Sequence, residues 1–320
     1  MTASSPESVA LVLGSGGVLG GAFHAGVVKA LLDSLGIDAR SADVIVGTSA
    51  GALTGALLGA GLHPNDVYRR ETKQPLSPAG QRLLGAARAK IGPRAEQGAA
   101  WGPPSAPQLA LRGLWEMGRV APGSVAAGLL PRGTMSTDRI GNLVDAMVAN
   151  RGEGLWGWPG DPYLKVCAVD LTSGHRKVFN GDDGESMGQA VAASCAVPAV
   201  YAPVAIDGRE YLDGGAHSAD NVDVLRGRSY DLVVVSSPLS TQRLHDIRSP
   251  WHPLRVATRA QTDHEIAGLE KVGRIEVIRP TGDDLDAMGV NMLDGQRRAA
   301  VALQAYNTAV DRLAAQTGEP

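Results

Sequence analysis

Residues 44–55 read VIVGTSAGALTG, and the reading of Ser49 within them decides the fold. Asp43-Val44-Ile45-Val46 is a short, apolar, β-branched run of the kind that forms a buried strand. Residues 50–58, AGALTGALL, form a small-residue helix able to pack closely on a sheet. Between them Gly47-Thr48-Ser49-Ala50-Gly51 fits strand, sharp turn and helix, the geometry that lifts a nucleophilic serine above a sheet. Gly47 and Gly51 suit that turn because it leaves no room for β-carbons beside the serine. On its own the pentapeptide is weak, since the chain has 41 glycines among 320 residues. A Gly-rich turn without chemistry satisfies it equally well.

Working outward, Val9-Ala10-Leu11-Val12-Leu13 is a second buried strand, running into Gly14-Ser15-Gly16-Gly17-Val18-Leu19-Gly20-Gly21. A helix follows with Ala22, Val27, Val28, Leu31 and Leu32 on its apolar side and Gly36 near its end. Two consecutive strand–turn–helix units predict an α/β fold with a mostly parallel sheet. Residues 71–132 change character: alanine, glycine and proline dominate, Trp101 and Trp115 stand alone, and no strand pattern appears. This stretch reads as a helical cap insertion. Strand patterns return at Tyr163–Asp170, turning through Ser173-Gly174 to Lys177–Phe179. A small-residue helix spans Met187–Ser194, and a second hairpin pairs Pro203–Ile206 with Arg209–Leu212 through Asp207-Gly208. Leu232–Ser236 and Ile275–Ile278 complete the strands. A closing helix is predicted over 294–315, apolar at Ala300, Leu303, Tyr306, Val310 and Leu313. No repeat or linker divides the chain, so residues 1–320 are expected to form a single domain.

Composition narrows the function classes. Hydrophobic residues make up 44 %, charged residues 20 %, and the net charge is −3, which speaks against a nucleic-acid partner. The two cysteines, Cys167 and Cys195, supply neither a disulfide framework nor a metal site. No metal and no cofactor are expected, and Asp182-Asp183 reads as a solvated turn rather than a calcium loop. No secretory leader and no run of 18 apolar residues are visible, so a cytoplasmic location is the expectation.

Three readings compete for the Gly-rich loop. A dinucleotide fingerprint beginning at Gly14 and Gly16 would need glycine where Leu19 stands, and a Walker A loop would need a lysine that is absent. An oxyanion hole needs only backbone N–H groups at a helix N-terminus, which this loop offers. A serine also needs a base. Seven histidines are available: His24, His63, His175, His217, His245, His252 and His264. His252 or His264 would suit the order Ser, Asp, His of an α/β-hydrolase, but that fold places several strands before its elbow. His24 and His217 lie near the motifs and read as supporting residues. Leu212-Asp213-Gly214-Gly215 offers a different base, an aspartate at a strand end with space cleared around it, although a plain Asp-Gly turn also fits.

As a set, these motifs resemble the patatin-like phospholipase family, in which a Ser–Asp dyad replaces the triad. The resemblance is carried by Ser15–Gly20, Gly47–Gly51 and Asp213–Gly215, in that order, and by GAFHAGVVKAL after the loop. Ala193-Ser194-Cys195-Ala196-Val197-Pro198, leading to Tyr201-Ala202-Pro203, also fits the family. It spans roughly residues 8–220. It implies a three-layer patatin-like fold, a mostly parallel sheet with helices on both faces, and a cap insertion over about 71–132. It further implies Ser49 as nucleophile, Asp213 as general base, and Gly16 and Gly17 as oxyanion donors. Gly47 and Gly51 would form the elbow, with Gly14, Gly20, Gly214 and Gly215 supporting. The implied activity is acyl-ester hydrolysis of phospholipids, lysophospholipids or related lipids, with peripheral membrane contact through the cap. One departure stands out: the family usually has Arg or Lys where this chain has Leu19. That substitution motivates an alternative, a catalytically degenerate lipid- or acyl-binding protein.

Overall fold

The computed structural model describes residues 6–91, 102–116, 119–150, 163–244 and 250–317. The elements run β1 (Val9–Leu13), α1 (Gly17–Leu35), β2 (Val44–Thr48), α2 (Ala50–Gly59), α3 (Pro64–Glu71), α4 (Pro78–Ile91), α5 (Gln108–Trp115), α6 (Pro122–Leu129) and α7 (Asp138–Asn150). Next come β3 (Leu164–Asp170), β4 (Arg176–Phe179), α8 (Met187–Ser194), β5 (Val204–Ile206), β6 (Arg209–Asp213) and β7 (Tyr230–Ser236). The chain continues with α9 (His252–Ala267), β8 (Val272–Ile278), α10 (Gly282–Met288) and α11 (Arg298–Thr317).

The sheet order is β5-β6-β3-β2-β1-β7-β8, with β4 also pairing β3. The neighbours β3-β2-β1-β7-β8 are parallel, whereas β4, β5 and β6 run antiparallel. Alternation along the strands buries both faces. Leu11, Ile45, Val166 and Val234 join one core with α1, α2 and α11. Ala10, Val12, Val46 and Val235 join a second on the opposite face. The result is the three-layer α/β arrangement that strands without a polar face require.

One feature of register shapes the site. Strand β3 pairs with β2 up to Thr48↔Cys167, and with β4 over Val166–Val169 on its other edge. From Ala168 onward β6 pairs with β3, beginning at Asp213. Since β4 already occupies the far edge there, β6 takes the edge that β2 has just left. The end of β2 and the end of β6 therefore meet beside β3, which brings Ser49 to Asp213.

The closing helix differs from expectation in phase. Val301, Ala302, Ala305, Ala309 and Leu313 are buried, while Leu303 is 53 % exposed. Helix α11 lies so close to α1 that a β-carbon at Gly26 would sit 2.5 Å from the Ala302 carbonyl oxygen. Only small residues fit such a contact, so backbone approach outranks side-chain hydrophobicity in choosing the face. Helix α1 has the length and mean hydropathy of a membrane span, although no long apolar run was visible. Its alanines, valines and leucines raise the mean while His24 and Lys29 interrupt the run, and its buried residues pack in the core.

The described residues between 71 and 132 carry α4, α5 and α6. Leu84 and Ala87 of α4 reach the main core. Ala106, Leu109 and Ala127 form a satellite core with Leu171, Ala196 and Leu212. Trp101 lies outside the described residues, and Trp115 is 87 % exposed.

Candidate active site

The β2–α2 turn is a strained elbow. Ser49 adopts φ 53° and ψ −115°, a region that L-residues avoid without support from their surroundings. A β-carbon at Gly51 would lie 1.9 Å from the Leu13 carbonyl oxygen, and one at Gly47 would lie 2.6 Å from Cα of Ala52. Both glycines are therefore fixed by contact. The support comes from α8. The Ser49 amide donates to Ser194 Oγ at 2.8 Å, and that hydroxyl donates to the Cys167 carbonyl at 2.6 Å. Cys195 Sγ donates to the Ser49 carbonyl at 3.3 Å. Burial pushes the Cys195 thiol far up, so it remains a donor and not a nucleophile. Nothing in the sequence reading assigned Ser194 and Cys195 these tasks, although the stretch that holds them stood out.

Asp213 is 5 % exposed, and the Ser49 side chain lies near enough to its carboxylate to favour the charged form. It also accepts from the Gly215 amide at 2.7 Å. Burial pushes the Asp213 carboxyl up to about 6, against the smaller opposing effects of Ser49 and the Gly215 amide. Gly214 is required because a β-carbon would stand 2.2 Å from the Cys167 carbonyl oxygen. Gly215 faces Ser15, whose hydroxyl would lie 2.6 Å from a β-carbon there.

The Gly-rich loop joins β1 to α1 on the strand next to β2. Gly14 and Ser15 donate to the Ser236 and Ala219 carbonyls at 3.0 and 2.8 Å. The amides of Gly16, Gly17 and Val18 make no hydrogen bond among the described residues. They open the N-terminus of α1, where the helix dipole adds positive potential. Gly17 has φ 61°, and a β-carbon at Gly20 would touch Ala50 Cβ at 3.4 Å. The free amides thus sit against the start of α2.

Leu19 is fully buried, and its amide donates to the Met292 carbonyl at 3.0 Å. Packing orders this loop where the family's usual cation is missing. Behind it, Pro238 would lie 2.8 Å from a β-carbon at Gly16, and the Pro238 carbonyl accepts from the buried Arg255 at 2.7 Å. His24 is fully buried and bridges the Gly14 carbonyl at 2.7 Å and Ser236 Oγ at 2.8 Å. Burial lowers its pKa to about 4, so a neutral imidazole braces the loop. The charged neighbours of His217 are Arg176, Asp223 and His175, not the dyad. His252 and His264 both lie on α9, and His245 lies outside the described residues.

Helix α9 carries the residues the sequence reading missed. Arg255, Thr258, Thr262 and Glu265 form a buried polar stripe at helical spacing. Thr262 and Ser237 donate to Asp220 at 2.6 and 2.5 Å, and burial pushes Asp220 up to about 6. Asp182 and Asp183 lie in a turn, the latter paired with Lys177.

A family model described as patatin-like phospholipase matches residues 11–226. Among solved structures, the chain is similar to VipD from Legionella pneumophila at 13 % identity and a TM-score of 0.45, covering 97 % of this chain and 67 % of that one. It is also similar to the type III effector protein ExoU at 16 % identity and a TM-score of 0.40, covering 98 % of this chain and 54 % of that one. A complex of ExoU with SpcU from the type III secretion system of Pseudomonas aeruginosa gives 17 % identity and 0.40, over 98 % and 52 %. The chain thus spans about half to two thirds of these proteins. With the family model covering most of the chain, this protein belongs to the patatin-like phospholipase family of lipid acyl hydrolases.

Proposed function

We propose that this protein hydrolyses carboxylic esters of acyl lipids through a Ser49–Asp213 dyad. The observation that carries the proposal is the Ser49 hydroxyl, on a strained elbow, facing a buried carboxylate with a pKa near 6. A carboxylate in that range is a better base toward a hydroxyl than an ordinary aspartate near 3.9. Asp213 accepts the Ser49 proton as Oγ attacks the ester carbonyl. The amides of Gly16 and Gly17 stabilise the oxyanion, a contribution worth roughly 10²–10³ in rate per donor. The proton returns to the departing alcohol, leaving an acyl-serine. Water then attacks the acyl-serine, Asp213 takes its proton, and the fatty acid leaves as Ser49 is restored.

The binding-protein alternative rests on Leu19, a buried residue whose amide donates to the Met292 carbonyl; the hydrolase is the reading we favour. The cap meets the site through α6, where a β-carbon at Gly123 would lie 2.3 Å from the Ala216 carbonyl oxygen. We assign lipid contact to this insertion, where Trp115, Leu129 and Leu130 are exposed. The function is tested by hydrolysis of a p-nitrophenyl ester series by wild type, Ser49→Ala and Asp213→Ala, with chelator present. Activity lost in both variants supports the dyad. A wild type inactive on every ester and phospholipid would return the binding-protein reading.

A further inference from the structure

A cavity of about 150 Å³ is lined by Gly17 and Val18 at the start of α1, Ala50 at the start of α2, and Arg70, Glu71 and Arg298. The charges in it do not balance. Its lining sets two guanidiniums, Arg70 on α3 and Arg298 on α11, against the single carboxylate of Glu71, and Arg88 adds a further positive charge near Arg70. The Arg298 Nε donates to Glu71, tying α11 to α3. Arg70 is left with a 3.5 Å ion pair to the same carboxylate, though its side chain is only 18 % exposed. Neither Arg70 nor the Nη groups of Arg298 make a hydrogen bond among the described residues. Both side chains are partly exposed, so their planar forks keep donors available to a ligand.

We propose that this cavity binds the phosphate of a phosphate-bearing acyl ester, with Arg70 as the principal contact and Arg298, oriented by Glu71, as the second. The inference rests on the acyl-hydrolase reading and names its headgroup site. Three features favour phosphate. The surplus charge is positive, the free donors are forked guanidiniums suited to bidentate phosphate contact, and the volume suits a compact head rather than an acyl chain. Position supplies the link to chemistry. Gly17 bears a free loop amide and Ala50 directly follows Ser49, so the cavity borders the oxyanion loop and the start of the nucleophile's helix. The cation missing at position 19 is thus supplied from α3 and α11.

The test uses a matched pair, 1-octanoylglycerol 3-phosphate and 1-octanoylglycerol, with the ratio of their kcat/KM values as readout. The wild type is expected to favour the phosphate-bearing ester. Arg70→Gln should cut that ratio about 10- to 100-fold, the worth of a charge-assisted hydrogen bond, mainly through KM, with Arg70→Lys recovering part of it. Arg298→Gln should act in the same direction. An unchanged ratio in Arg70→Gln, including equal losses on both esters, would overturn the proposal. Inorganic phosphate that inhibits both ester reactions equally, with no preference between the esters, would make it a site for free phosphate and also overturn the headgroup assignment. Should the wild type cleave neither ester, the hydrolase reading fails first, and calorimetry with glycerol 3-phosphate decides the cavity. Saturable binding lost in Arg70→Gln would keep the phosphate site, and no binding to the wild type would remove it.

Discussion

Asp213 and Asp220 make an instructive pair. Both are buried, and burial pushes both carboxyls up to about 6. Asp213 faces the hydroxyl of a serine held in a strained turn, one residue from a parallel strand's end. Asp220 accepts from Ser237 and Thr262 behind the Gly-rich loop, and its other oxygen would crowd any β-carbon at Gly14, at 1.9 Å. A raised pKa therefore does not identify a base. What separates the two is the partner: a hydroxyl on a strained elbow beside free amides, against hydroxyls within a packed polar network.

That contrast can be broken most directly by substitution. Ser49→Ala and Asp213→Asn should each lower kcat by at least about 10³-fold, as removal of dyad or triad members does. Asp220→Asn should remain within about tenfold of wild type. Comparable losses in Asp213→Asn and Asp220→Asn would erase the distinction. Next in size is the loop. Gly17→Ala places a β-carbon 3.0 Å from the Met292 carbonyl at φ 61° and should lower kcat by roughly 10²-fold through the displaced amide, with KM for a short ester little changed.

Acidity sharpens the comparison further. A base must be unprotonated, so kcat/KM should rise with pH through a midpoint near 6. For stability the sign is opposite. A folded pKa raised above the unfolded value near 3.8 gives stability present below that value and lost as pH rises through about 6. Replacing Asp213 by neutral Asn should therefore stabilise the fold at pH 8 by up to roughly 3 kcal/mol, a gain that vanishes below about pH 4, measured by denaturant titration at both pH values. The smallest effect belongs to the elbow's strut. Ser194→Ala leaves the Ser49 amide without its partner and should cost about 1–3 kcal/mol of stability.

Much of this was legible in the chain. The runs Val9–Leu13 and Val44–Val46 announced adjacent parallel strands, and the three glycine-flanked motifs named the residues that meet. What spacing could not show was why Asp213 meets Ser49 across so much intervening sequence. That depends on β3 changing partners from β2 to β6 along one edge, a non-local pairing with no local signature. Helix α9 was invisible for a different reason. Its buried face carries Arg255, Thr258, Thr262 and Glu265, so hydrophobic periodicity fails where a polar stripe at 255, 258, 262 and 265 would have succeeded. At Leu19 the missing charge was visible in the sequence but its burial was not.

The most direct test of the central claim is intact-mass and peptide mapping after treatment with an alkyl fluorophosphonate, at pH 8, of wild type, Asp213→Asn and Asp220→Asn. The account predicts one adduct, on Ser49, formed rapidly in wild type and Asp220→Asn and at least about 10²-fold more slowly in Asp213→Asn. An adduct on another residue, or equal labelling of Ser49 in Asp213→Asn, would contradict it.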